Sequence, residues 1–204
     1  MTETANLSLA AAHSLMQSAF EGVGVPSPAA ASVARALVAA EAEGQAGHGF
    51  SRLGDYAAQV QSGKIKASAE VQITPRGPAS LLVDAGHGFA YPALEAAIAA
   101  RVPLAQDQGI AVMAVAHSHH CGALSVQVEK LAEAGLIGLM VANSPKAIAP
   151  WGASDALYGT NPIAFAAPQA GGPPLVIDLS LSVVARGKVM NAKKLGQEIP
   201  LRWA

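Results

Sequence analysis

The stretch AVMAVAHSHHCGALS, residues 111–125, decides how the chain is read. An apolar run breaks into three histidines and the only cysteine, and Gly122 then opens what reads as a helix over 122–134. Apolar strand, polar turn and helix in succession mark a sheet with covering helices rather than a helical bundle. Three chemistries fit such a turn: a metal site, an acid–base site, or histidines that cap and fill a crowded bend.

The same alternation extends in both directions. Upstream, strands are expected over 70–74, 80–84 and 110–116, with a long Ala-rich helix from Pro92 to near Gly109 between the last two. Downstream, strands are expected over 136–143, 162–167 and 175–178, then a helix over 183–195. The first sixty residues have helical period instead. Leu7, Leu9, Leu15, Met16 and Phe20 trace an apolar stripe that Gly22 and Gly24 end. Ser27-Pro28 reads as a cap with proline in the first turn of a second helix, which runs through Val33, Leu37 and Val38 to Gly44. A third helical segment, 48–61, stops at Gly63. Helices first and mixed elements afterwards give an α+β fold with α/β elements. The expected division is a helical N-terminal segment, 1–67, and a mixed sheet domain, 68–204.

Charged residues make up only 13% of the chain against 51% apolar, where about 25% charged is usual. So few charges leave too little polar surface to cover the fold, which predicts extensive burial including a subunit interface. A net charge of −1 and a pI near 6.6 speak against nucleic acid or an anionic membrane as partner. The lone cysteine excludes an intrachain disulfide and fits a reducing compartment. MTETANLS has neither basic nor apolar signal-peptide regions, and no apolar run reaches the roughly 18 residues of a membrane span. A cytoplasmic protein is expected.

Four regions have chemistry to offer. In GHGFSRLGDY, His48 and Arg52 stand at i and i+4, on one face if the segment is helical. A guanidinium can clamp a carboxylate with two parallel bonds while an imidazole trades a proton with an adjacent oxygen. The competing reading is a solvated face on which Arg52 pairs with Asp55 or Asp84. In the opening stretch, His119 and His120 would point to opposite sides of an extended segment and no second His/Cys cluster exists, so no metal site is expected. Ser118 and His120 would share one side at the carboxyl end of a strand, where open sheets bind ligands, with the free N–H groups of a helix starting at Gly122. ANSPKAIAPWGASDALYGTNPIAF reads as a long functional loop. Asp178 ends a strand and precedes Arg186, Lys188, Lys193 and Lys194, a pattern that suits ribose and phosphate but is also common on solvated helices. The tetrapeptide GHGF occurs at 47–50 and 86–89 in unrelated surroundings, and neither copy completes a dinucleotide fingerprint.

Taken in order, HGFSR, DAGHGF, SHHCGAL, GTNPIAF and VIDLSLSVVARGK resemble the second type of malate/L-lactate dehydrogenases, nicotinamide-dependent enzymes without a Rossmann fold. The resemblance implies a homodimer using NAD or NADP on a small 2-oxo or 2-hydroxy acid. It implies His48 as proton donor, Arg52 as carboxylate ligand, and Ser118 with His120 in the SxHxG segment. Ser144, Asp178, Leu179 and Ser180 would contact the cofactor. Lys188, counted among the catalytic residues, resembles the hydroxy-acid branch, since members reducing cyclic imino acids tend to carry aspartate there. The ARGKVM and AIAPWG contexts are most similar to sulfolactate dehydrogenase-like members. Gly47 departs from the serine common in the family, which bears on substrate identity. The final IPLRWA lacks a capped helix or polar tail, so a truncated chain is expected; an inactive fragment and a His-rich metal-binding module are the other readings.

Overall fold

The computed structural model describes residues 5–184, 189, 192, 196–200 and 203. Its first helix, α1 (Leu9–Glu21), begins where Ser8 Oγ accepts the Ala11 N–H at 3.1 Å, a side-chain N-cap. Ala12, Met16 and Phe20 form its buried face, while Leu7, Leu9 and Leu15 are exposed. The apolar stripe is therefore narrower than expected, because only residues one turn apart line up with Phe20. In α2 (Ser27–Ala42), Pro28 does fall in the first turn, but Ser27 is the first helical residue and not the cap. Its hydroxyl instead accepts from Gln17 Nε2 of α1 at 3.1 Å. Val33 and Leu37 of α2 join Met16 and Phe20 in one core with Tyr56, Ile65, Phe89 and Tyr91. Each large apolar side chain so buried contributes about 1.5–3 kcal/mol.

The expected 48–61 helix is interrupted. Ala46–His48 and Phe50–Arg52 are two separate 3-10 turns, and α3 (Leu53–Gln61) follows them. The break is Gly49, whose backbone lies so close to Glu41 of α2 that a Cβ would overlap that side chain. Glu41 Oε2 accepts the Phe50 N–H there at 2.8 Å. His48 and Arg52 consequently do not share the face of one α-helix.

β1 (Gln72–Gly77) pairs antiparallel with β2 (Ser80–Asp84), and β2 pairs parallel with β3 (Val112–Ala116). The crossover from β2 to β3 is α4 (Ala90–Gln108), closed by Gly109 at φ +81°. Leu81 and Val83 pack on Ala93 and Ala97 of α4. These elements form one compact unit, Met1–Val126, and the 67/68 position lies inside it, with the Lys66 N–H donating to His87 O at 3.0 Å.

A second unit, Gln127–Ala204, begins within α5 (Ser125–Glu133). It contains β4 (Gly138–Val141), β5 (Lys146–Ile148), β6 (Tyr158–Gly159), β7 (Ile163–Ala167) and β8 (Leu175–Leu179). β4, β7 and β8 form an antiparallel sheet in the order β4-β7-β8, and β5 pairs with β6 inside the stretch read as a long loop. The helix expected over 183–195 falls largely outside the described residues, as does Lys188. Helices followed by small parallel and antiparallel sheets make the fold α+β. Among the described residues no helix is long and apolar enough to cross a membrane.

Candidate active site

The 3-10 turn carrying His48 is anchored at its start. Gln45 donates through Nε2 to Ser125 Oγ at 2.9 Å, and its carbonyl accepts the His48 N–H at 2.7 Å. His48 then stacks on His120, with ring centroids 5.5 Å apart and planes 20° from parallel. Arg52 folds back so that Nε donates to Gly47 O at 2.5 Å, and Nη1 lies 3.8 Å from the Asp55 carboxylate. That ion pair is the one anticipated by the solvated-face reading, but so long a pair is worth only about 0–1 kcal/mol. The Arg52 charge also acts on His120 and Tyr56. His48, Arg52 and His120 thus meet within the first unit, brought together by the Gly49 break and the turn after β3 rather than by a single helical face.

Behind them lie two buried tyrosines. Tyr56 of α3 places Oη 2.6 Å from His120 Nδ1 and 3.2 Å from Tyr91 Oη. Gly122 has φ +69°, and a Cβ on it would sit 2.5 Å from Tyr91 Oη. It therefore does not open a helix, because α5 starts three residues later at Ser125; the anion-binding N–H groups expected at Gly122 are not there. His119 and His120 both meet the Tyr56 ring, with centroids 5.2 and 6.2 Å from it. His119 Nε2 lies 2.6 Å from Gln59 Oε1, and its ring meets Tyr56 edge-on at 5.2 Å. Ser118 is exposed in the same turn.

This packing sets the protonation states. Desolvation, then the charges of His48, Arg52 and His119, hold His120 down to about 3, although one edge of the residue stays exposed. Desolvation and Lys64 hold His119 down to about 4. Burial pushes Tyr56 up to about 12 and Tyr91 well above its ordinary value. Near neutrality both imidazoles are uncharged and both phenols keep their protons.

In the second unit, Ser144, Leu179 and Ser180 gather at one end of the sheet, where β4 and β8 finish and β7 begins. Ser144 Oγ is 3.0 Å from Thr160 Oγ1, and Asn161 Oδ1 accepts the Ser144 N–H at 3.0 Å. The Leu181 N–H donates to Thr160 O at 2.8 Å, and Ser180 Oγ to Ser182 O at 3.1 Å. Gly159 is packed so tightly on Ser144 and Asn161 that a Cβ would overlap both. Asp178 is one residue further back, paired with Ala164. Among the described residues no group of three or more His, Cys, Asp or Glu could hold a metal ion.

Comparison with known proteins covers nearly the whole chain. The family model described as malate/L-lactate dehydrogenase matches residues 7–204. The chain belongs to the malate/L-lactate dehydrogenase family. It is 50% identical over 198 residues to a (2R)-3-sulfolactate dehydrogenase (NADP(+)) of Chromohalobacter salexigens, covering 97% of this chain and 59% of the relative. It is 41% identical over 187 residues to a Delta(1)-pyrroline-2-carboxylate/Delta(1)-piperideine-2-carboxylate reductase of Pseudomonas putida, covering 92% of this chain and 55% of that one. The crystal structure of delta1-piperideine-2-carboxylate reductase from Pseudomonas syringae pvar. tomato superposes with a TM-score of 0.92 at 38% identity, over 97% of this chain and 59% of that structure. The chain therefore spans somewhat more than half the length of these relatives.

For a member of this family, sequence reasoning overlooked several contributors to the site. Tyr56 follows His48 and Arg52 at the same four-residue spacing, a signal that was available. Thr160 and Asn161 sit in the GTNPIAF motif. Tyr91, Gln59 and the constraint at Gly122 leave no comparable trace, because they depend on contacts between elements far apart in the chain.

Proposed function

We propose that this chain carries the reacting residues of an oxidoreductase that moves a hydride between NAD or NADP and C2 of a small 2-hydroxy or 2-oxo acid of the malate, lactate or sulfolactate type. The observation that carries the reading is the stacked His48–His120 pair beside the Arg52 guanidinium, in a chain half identical to a sulfolactate dehydrogenase. Arg52 binds the substrate carboxylate, and its contact with Gly47 O fixes the angle of the fork. His48 gives a proton to the C2 oxygen during reduction and takes it back during oxidation. Ser118 and the exposed edge of His120 line the substrate side. Lys188 joins the catalytic residues on family resemblance. Residues 1–67 deliver His48 and Arg52, and residues 68–204 the remainder.

The donor set at the end of the second sheet suits a nicotinamide cofactor. Hydroxyls of Ser144 and Ser180, the Leu179 backbone and the Asp178 carboxylate match ribose and amide groups, and Gly159 keeps that cradle free of a Cβ. When bound, the nicotinamide supplies or accepts the hydride. The low charge content and lone cysteine support a cytoplasmic homodimer as the working form.

The second reading is reduction of a cyclic imino acid, which the Pseudomonas relatives favour. The test of both is to follow oxidation of NADPH and NADH with a panel of 2-oxo acids beside a cyclic 2-imino acid. Oxidation above the blank with an oxo acid is expected. Turnover of the imino acid alone selects the second reading, and blank rates throughout overturn both for this chain.

A further inference from the structure

The site contains a hydrogen-bonded row that the reaction as written does not use: Tyr91, Tyr56 and His120. Its links are 3.2 Å from Tyr91 Oη to Tyr56 Oη and 2.6 Å from Tyr56 Oη to His120 Nδ1. Each phenol has one proton to place, so the row can run in only two directions. In one, Tyr91 donates to Tyr56 and Tyr56 donates to His120 Nδ1. In the other, His120 Nδ1–H donates to Tyr56, and Tyr56 donates to Tyr91.

Burial decides between them. Tyr91 is 1% exposed, and among the described residues its hydroxyl meets a hydrogen-bond partner only in Tyr56. In the second direction the buried Tyr91 proton would find no acceptor among the described residues, an arrangement native interiors avoid. The first direction satisfies all three groups. It puts a lone pair on His120 Nδ1, and the ring, being neutral, carries its hydrogen on Nε2. Burial of the phenols keeps both protonated and desolvation keeps the imidazole uncharged, so the arrangement persists across neutral pH.

We propose that Tyr56 is a positioning residue that locks His120 in the Nε2–H tautomer, so that His120 meets the substrate's C2 oxygen as a neutral hydrogen-bond donor. This rests on the reading of the site as one that reduces a carbonyl. The consequence is a division of labour between the stacked imidazoles. A histidine that accepts the hydroxyl proton through Nε2 needs a lone pair there, and His120 has none in this tautomer. Proton exchange therefore belongs to His48, while His120 polarises the carbonyl and steadies negative charge developing on its oxygen, a role in which a neutral imidazole is effective.

The test reads the tautomer directly. Protein labelled with 15N-histidine is examined by long-range 1H–15N correlation at neutral pH, with His120→Gln used to identify the His120 signals. The expected result is one neutral species in which Nδ1 is pyridine-like and Nε2 pyrrole-like. Tyr56→Phe keeps the ring in the core but removes the donor, and is expected to replace that single species by a mixture of tautomers. Tyr91→Phe removes a hydroxyl from the same cluster yet leaves the Tyr56 donor, and is expected to keep the single species. A wild-type Nδ1–H tautomer, or a Tyr56→Phe spectrum unchanged from wild type, overturns the proposal. No turnover is needed for any of these readings. A chain that oxidises no cofactor can still show the lock, and an active chain without it retains the dehydrogenase reading while Tyr56 loses its role.

Discussion

At the scale of single residues, the site works by removing charge from groups that ordinarily titrate near neutrality. His119 and His120 are both held below the usual imidazole range, at about 4 and about 3. In an unfolded chain they would titrate near about 6.5. Below that pH the unfolded state binds protons that the folded state refuses, so their stabilising contribution is complete above it and declines as the pH falls. Carboxylates also titrate in this range, and a variant separates the two effects. His119→Gln is expected to lose less stability than wild type when urea midpoints are compared from about pH 7 to about pH 4; parallel losses would contradict the assigned burial of His119. The residue scale is also where sequence was most informative. His48, Arg52 and His120 were singled out from residue chemistry and family resemblance, and the structure brings them together by a route other than the expected helical face. Tyr56 was passed over although it continues the His48–Arg52 spacing, because the partner of its hydroxyl, His120 Nδ1, lies far along the chain.

At the scale of elements, glycines determine where the helices begin and break. Gly49 divides the expected 48–61 helix because the backbone there touches Glu41, and Gly122 delays α5 because its left-handed turn packs on Tyr91. Proline positions, composition and a short apolar run placed α2, α4 and β2 within a few residues, because those signals are local. They could not foresee either glycine, whose constraint comes from a side chain some eight to thirty-one positions away in sequence. Two substitutions make the contrast measurable. Gly122→Ala needs an unfavourable φ and pushes into Tyr91, and is expected to cost about 1–3 kcal/mol in denaturant unfolding. Gly47→Ser adds a side chain where a Cβ meets nothing within 4 Å, so stability should change by less than about 0.5 kcal/mol. It is expected instead to shift preference among oxo acids, by restoring the hydroxyl common in the family. An unaffected Gly122→Ala, or a destabilised Gly47→Ser, would contradict this account of the turns.

At the scale of the whole molecule, composition and surface point the same way. Leu139, Val141, Ile163, Ile177 and Leu179 are exposed on one face of the β4-β7-β8 sheet, where the register aligns them. Contiguous apolar surface of this kind is usually covered by association. The account expects light scattering behind a sizing column to give twice the chain mass, with Leu139→Lys combined with Leu179→Lys lowering it; a monomeric wild-type chain would contradict the association. The fold class was legible from the order of helical and alternating segments. The small β5–β6 ladder was not, because strands of two and three residues carry too little pattern to read.

The most direct test of the central claim, that His48 exchanges the proton at the C2 oxygen of a 2-oxo acid, is the rate of cofactor oxidation by wild type and His48→Ala at saturating substrate. The account predicts oxidation by wild type and a loss of about 10²–10⁴-fold in His48→Ala, the usual range for a general acid. Equal rates in the two proteins would contradict it.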